Sequence, residues 1–135
     1  MGKYIGESVL RKEDPRLVTG EAEYLEDIQL SGMVHAVVKR SDYAHAKIKN
    51  IDASEAEKMP GVLGVWTGKD FEDLNPMPCA WQAGGITNNA NTPRVLEIDK
   101  VTFTGQGGAV VVAEDRNLAE DACSRINVKY EELPV

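Results

Sequence analysis

The chain has 135 residues, 42% of them hydrophobic, with a formal net charge of −7. That length suits one compact domain, and folding at this size buries roughly two-thirds of the surface of the unfolded chain. The negative charge, with no Lys/Arg cluster set against it, disfavours nucleic acid and anionic membrane surfaces as partners. Apolar runs such as Ala109 to Ala113 are far too short to span a bilayer, and the start lacks the apolar core of a secretory signal. Gly2 offers only a weak match to a myristoylation acceptor. Cys79 and Cys123 are isolated, no CxxC pair exists, and only His35 and His45 could join them at a metal. Two free thiols fit a reducing cytoplasm.

Residues 1–30 are polar and punctuated by Asp14-Pro15 and Gly20, and read as an extended arm or as short edge strands. Met33 to Arg40 is rich in β-formers and apolar on both faces, which predicts a central strand. A turn at Ser41-Asp42-Tyr43 leads to a second strand over Ala46 to Ile51. Asp52 and Glu55 form a capping-box pattern, so a short helix is expected from Ala53 to Met59, with Ala53, Ala56 and Met59 inward and Pro60-Gly61 ending it. Val62 to Thr67 is a third strand.

The stretch 75–93 is poorly patterned, with three prolines, Gly84-Gly85 and several asparagines. An irregular loop of that length in a small domain is often functional or contact-making. Val101 to Thr104 and Ala109 to Ala113 read as strands around a glycine-rich corner. A helix follows over Asn117 to Ile126, with Glu114-Asp115 favourably placed at its positive end. Alternation from Ile126 to Tyr130 predicts a half-exposed final strand. Val34, Ala36, Val38, Ile48, Val62, Val65, Val111, Leu118, Ala122 and Val128 are the expected core.

Candidate chemistry is sparse. Gly105-Gln106-Gly107-Gly108 resembles the opening of a dinucleotide fingerprint, but the third glycine would fall at Val110 and the continuation is a strand, so a tight corner is the better reading. His45 could act as a base, since histidine titrates near neutrality, yet no nucleophile stands at a completing spacing; structure or a domain contact explains it more simply. Trp81, an aromatic on a long loop, is either buried beneath that loop or an interface anchor.

Four blocks in order resemble the molybdenum hydroxylases: xanthine dehydrogenases, aldehyde oxidases and aerobic carbon monoxide dehydrogenases. They are Arg11-Lys12-Glu13-Asp14 through Leu17-Val18-Thr19-Gly20 to Glu26-Asp27-Ile28; Met33-Val34-His35-Ala36 through Arg40-Ser41-Asp42-Tyr43-Ala44-His45-Ala46-Lys47-Ile48 to Ile51-Asp52; Pro60-Gly61-Val62 to Asp70; and Asp99-Lys100-Val101 through Gly105-Gln106 to Tyr130-Glu131-Glu132-Leu133-Pro134. The chain departs from the usual family pattern at Glu21-Ala22, Asp42 and Gly107-Gly108.

The resemblance implies an α+β, α/β-hammerhead domain over residues 1–135: a mixed β-sheet with two short-to-medium helices. It implies the N-terminal structural or assembly domain of a large subunit, inactive alone. The complete enzyme would oxidatively hydroxylate an aldehyde, an N-heterocycle or carbon monoxide. It would use a molybdopterin dinucleotide, iron–sulfur clusters and FAD, with further molybdopterin-binding domains and separate iron–sulfur and FAD subunits as partners. The family's glycine-rich and glutamine-containing cofactor loops and its catalytic glutamate have no counterpart here, so no catalytic, cofactor or metal residue carries over. Arg40, Tyr43, His45 and Trp81 are the interface candidates. A free-standing binding module of the same fold is the alternative.

Overall fold

The computed structural model describes residues 4–78 and 92–135. By internal contacts the chain divides into residues 1–33 and residues 34–135.

In the first unit, Pro15 occupies the first turn of α1 (Asp14–Thr19), where a missing backbone N–H costs nothing. Gly20 ends the helix in the left-handed conformation, at φ 75°, and donates to the Arg16 and Leu17 carbonyls. A 3-10 turn follows at Leu25–Asp27, closed by the Asp27 carboxylate accepting from the Tyr24 N–H at 2.8 Å. The arm is thus helical and turn-like, and contains no edge strand among its described residues. Local capping satisfies its backbone more readily than pairing could.

The second unit contains β1 (His35–Arg40), β2 (Ala46–Asp52), α2 (Ser54–Glu57), β3 (Val62–Thr67), a 3-10 turn at Gly68–Phe71, β4 (Lys100–Val101), β5 (Gly107–Ala113), α3 (Arg116–Ser124) and β6 (Asn127–Glu132). They form two three-stranded sheets, ordered β1-β5-β3 and β4-β2-β6, and every pair is antiparallel. The expected mixed sheet is therefore replaced by two antiparallel ones. The parallel relation between β1 and β3 exists only through β5, which lies between them.

Helices α2 and α3 cover one face of β1-β5-β3. Ala56, Ala109, Val111, Ala122, Cys123 and Ile126 form the buried core, with Val37, Ile51, Ala53, Met59, Val62, Val65 and Val128 packed around it. Small residues at the contact let helix and sheet approach closely, in keeping with the density of protein interiors. The expected stripe Ala53, Ala56 and Met59 does face this core, although α2 itself is only one turn. Asp52 serves α2 by accepting from the Ser54 N–H at 3.1 Å, without the reciprocal partner of a capping box. Asp115 caps α3, its carboxylate taking the Leu118 N–H at 2.9 Å.

Three core expectations reverse at β1: Val34, Ala36 and Val38 share one parity, and the opposite parity faces the core. Val37, directly opposite Val111, packs against the core, whereas Val34 and Ala36 are exposed. Consecutive apolar residues at 36, 37 and 38 carry no period-2 signal, so the face that α3 covers decides which is inside. The strand expected over Val101–Thr104 stops at Val101, because the Thr102 N–H goes to the Gln106 side chain instead.

Candidate interface

The end of β1 and the turn to β2 link the two sheets and carry three of the four interface candidates. Arg40 donates from Nη1 to the Gly105 carbonyl at 2.8 Å. Gly105 has φ +93°, a conformation that favours glycine, and its N–H returns to the Ser41 carbonyl at 2.8 Å. The Ser41 N–H donates in turn to the Gln106 carbonyl at 2.9 Å. The glycine run is thus the tight corner expected, clasped by backbone to the β1–β2 turn.

Tyr43 stacks obliquely on Tyr130, with ring centroids 5.1 Å apart, and stays 40% exposed. Burial pushes the Tyr130 phenol above its ordinary value, against a lowering hydrogen bond with Ser41, and the neighbouring Asp42 and Tyr43 also raise it. Ser41 itself is buried, its hydroxyl donating to the Tyr43 carbonyl at 3.1 Å and accepting from the Tyr43 N–H at 3.0 Å. His45 meets the Pro134 carbonyl through Nδ1 at 2.6 Å, while its own carbonyl accepts from the Leu133 N–H at 3.0 Å. Arg40, Tyr43 and His45 therefore each hold a distant segment of this same chain. Trp81 and Cys79 lie outside the described residues.

Sequence reasoning missed a polar knot beside the corner. Gln106 is buried; its Oε1 accepts from the Thr102 N–H at 2.6 Å and its Nε2 donates to Glu97 Oε1 at 2.6 Å. Glu97 also accepts from the Arg94 N–H at 3.0 Å. A glutamine in a glycine corner signals only a turn, and nothing in the local pattern marks it as buried.

The described residues offer little for a cofactor or metal. None of their His, Cys, Asp or Glu side chains cluster in threes suited to a metal ion. Burial raises the Cys123 thiol pKa, keeping it a poor thiolate ligand. In the cleft beside residues 48–51, 67–69 and 97–99, two of the four charged residues are engaged: Lys49 pairs with Glu131, and Glu97 belongs to the Gln106 knot. This donor set does not fit a molybdopterin, flavin or iron–sulfur group. No helix among the described residues is long and apolar enough to cross a membrane.

Residues 19–134 match the family model for the aldehyde oxidase and xanthine dehydrogenase a/b hammerhead domain. The chain belongs to that family. The hammerhead is 43% identical over 134 residues to the nicotine 6-hydroxylase large subunit of Paenarthrobacter nicotinovorans, covering 97% of this chain and 16% of that protein. It is 40% identical over 124 residues to the carbon monoxide dehydrogenase large chain of Hydrogenophaga pseudoflava, covering 92% of this chain and 15% of that one. The crystal structure of quinoline 2-oxidoreductase from Pseudomonas putida 86 superposes with a TM-score of 0.81 at 44% identity, over 96% of this chain and 16% of the other. The hammerhead chain thus spans about one-sixth of the length of these relatives.

Proposed function

We propose that this chain is the N-terminal structural and assembly domain of a molybdenum hydroxylase large subunit. The observation that carries the reading is the match of residues 19–134 to the hammerhead model, joined to relatives that are themselves large subunits. The complete enzyme would oxidise an aldehyde, an N-heterocycle or carbon monoxide with a molybdopterin dinucleotide, iron–sulfur clusters and FAD. All of these would be bound by segments or subunits other than this chain.

The domain's own residues do no redox chemistry on this reading. Arg40, Tyr43 and His45 hold the two sheets to the glycine corner and the 133–134 segment, presenting a fixed surface to the remaining molybdopterin-binding domains. Trp81 would contribute to the same contact. A reducing cytoplasmic setting suits the buried, unpaired Cys123 thiol.

Affinity purification of the tagged chain from its native cells, followed by mass spectrometry and molybdenum analysis, tests the proposal. Co-purification with a molybdopterin-containing polypeptide and with iron–sulfur and FAD subunits is the expected result. Recovery of the chain alone, without molybdenum, would count for the free-standing module.

A further inference from the structure

We infer that the outer face of the β1-β5-β3 sheet is a docking surface for the part of the large-subunit polypeptide that lies outside this chain. The inference rests on the proposed function and adds the face on which the contact is made.

Strand register divides the sheet into two sets of residues. Val37, Val111 and Val65 are aligned across the strands and pack toward the core under α2 and α3. The alternate positions form two rows, Ala36–Val112–Gly64 and Val38–Val110–Trp66. Because strand side chains alternate, these rows point away from the helices. Neither row contains a polar side chain. Ala36 is exposed, Trp66 is 38% exposed, and Val38, Val110 and Val112 are half-buried. The Trp66 indole lies over Gly64, where a Cβ would stand 2.6 Å from Cη2, so the second row covers the gap in the first.

An antiparallel sheet with one wet face alternates apolar and polar residues. The central rows of this sheet are apolar on both faces, the pattern of a sheet covered on both sides. Its outer face is already closed at one end by Leu96, which is buried beside Gly107 and Val38.

Area and chain length together select the occupant. Two rows across three strands present on the order of 200 Å². A stable dimer needs about 800 Å² from each partner to offset lost translational freedom. A contact within one polypeptide carries no such cost. In the related large subunits of nicotine 6-hydroxylase and carbon monoxide dehydrogenase, about five-sixths of the chain lies outside the segment that resembles this one. That remainder is the covering surface, uncharged and apolar where it meets Trp66 and Val110.

Hydroxyl-radical footprinting of the free chain and of the assembled large subunit tests this, reading Trp66 by peptide mass. Oxidation of Trp66 at least fivefold slower in the assembly is expected, and an equal rate in both would overturn the inference. Protection of Trp66 in the free chain, with a dimer mass by light scattering, would assign the face to a second copy and overturn it as well. Ala36→Arg is the matching variant. It should leave the unfolding midpoint of the free chain unchanged and lower the yield of assembled subunit at least tenfold, whereas full assembly would overturn the inference. If the unaltered chain never joins a molybdopterin-containing polypeptide, the proposed function itself falls, a result visible before any footprint is taken.

Discussion

Gln106 donates from Nε2 to Glu97 Oε1 at 2.6 Å while its Oε1 accepts the Thr102 N–H at 2.6 Å, so one buried side chain ties the segment entering β4 to the corner leaving it. The Thr102 hydroxyl adds a longer contact at 3.2 Å. Glu97 closes the knot from the other side, holding the Arg94 N–H and donating its own N–H to the Gly107 carbonyl at 2.8 Å.

Replacing Gln106 by Leu removes both ends of this bridge and leaves the Thr102 N–H and the Glu97 carboxylate without it. An unsatisfied buried polar group costs about 1–3 kcal/mol. Gln106→Leu is expected to lower the unfolding free energy by about that amount in urea titration, and an unchanged midpoint would show the knot to be solvated rather than structural.

Asp115 offers a smaller test. Its carboxylate caps the N-terminus of α3, which with α2 covers the core. Loss of an N-cap costs about 1 kcal/mol. Asp115→Ala should destabilise by that amount, and Asp115→Ser should recover most of it.

The order of elements was legible because turn residues and apolar periods act locally: Pro60-Gly61 ends the α2 region, and Leu118, Ala119, Ala122 and Ile126 mark one face of α3. Strand parity on β1 was not, since Ala36, Val37 and Val38 are all apolar and only α3 distinguishes them. For the interface candidates, the turn itself was readable. Its partners were not: Arg40 reaches Gly105 across 65 positions and His45 reaches Pro134 across 89, and one sequence holds no record of such pairings.

Asp70 supplies a pH dependence. Its carboxylate accepts from the Thr67 N–H at 2.7 Å and from the Thr67 hydroxyl at 3.0 Å, and these bonds, the backbone one foremost, hold its pKa below the usual carboxylate value. A carboxylate with a depressed folded-state pKa contributes stability that is fully present above its unfolded pKa. That contribution is lost as pH falls through the folded value. The chain should therefore lose stability on acidification below the ordinary aspartate range. Asp70→Asn should flatten that part of the profile, and an identical acid limb in the variant would assign the effect to other groups.

Gly68 carries the last prediction. It opens the 3-10 turn after β3 and is buried, with a backbone that does not require glycine, since its φ is not positive. Its constraint is space. A Cβ at this position would stand 2.6 Å from the Glu97 carbonyl oxygen and 2.8 Å from the Leu96 carbonyl oxygen. Both are backbone atoms, so no side-chain rotation relieves the clash, and the 96–97 segment must move. That movement pulls on Glu97 Oε1, where Gln106 is held, and on Leu96, which is buried against the β5 end of the sheet. Overpacking of this kind costs about 1–3 kcal/mol. Gly68→Ala is expected to destabilise by that amount and, because both changes strain the same knot, to be less than additive with Gln106→Leu. A double-mutant cycle by chemical unfolding reads both quantities, and strict additivity would mean that the Gly68 contact and the Gln106–Glu97 bridge are independent.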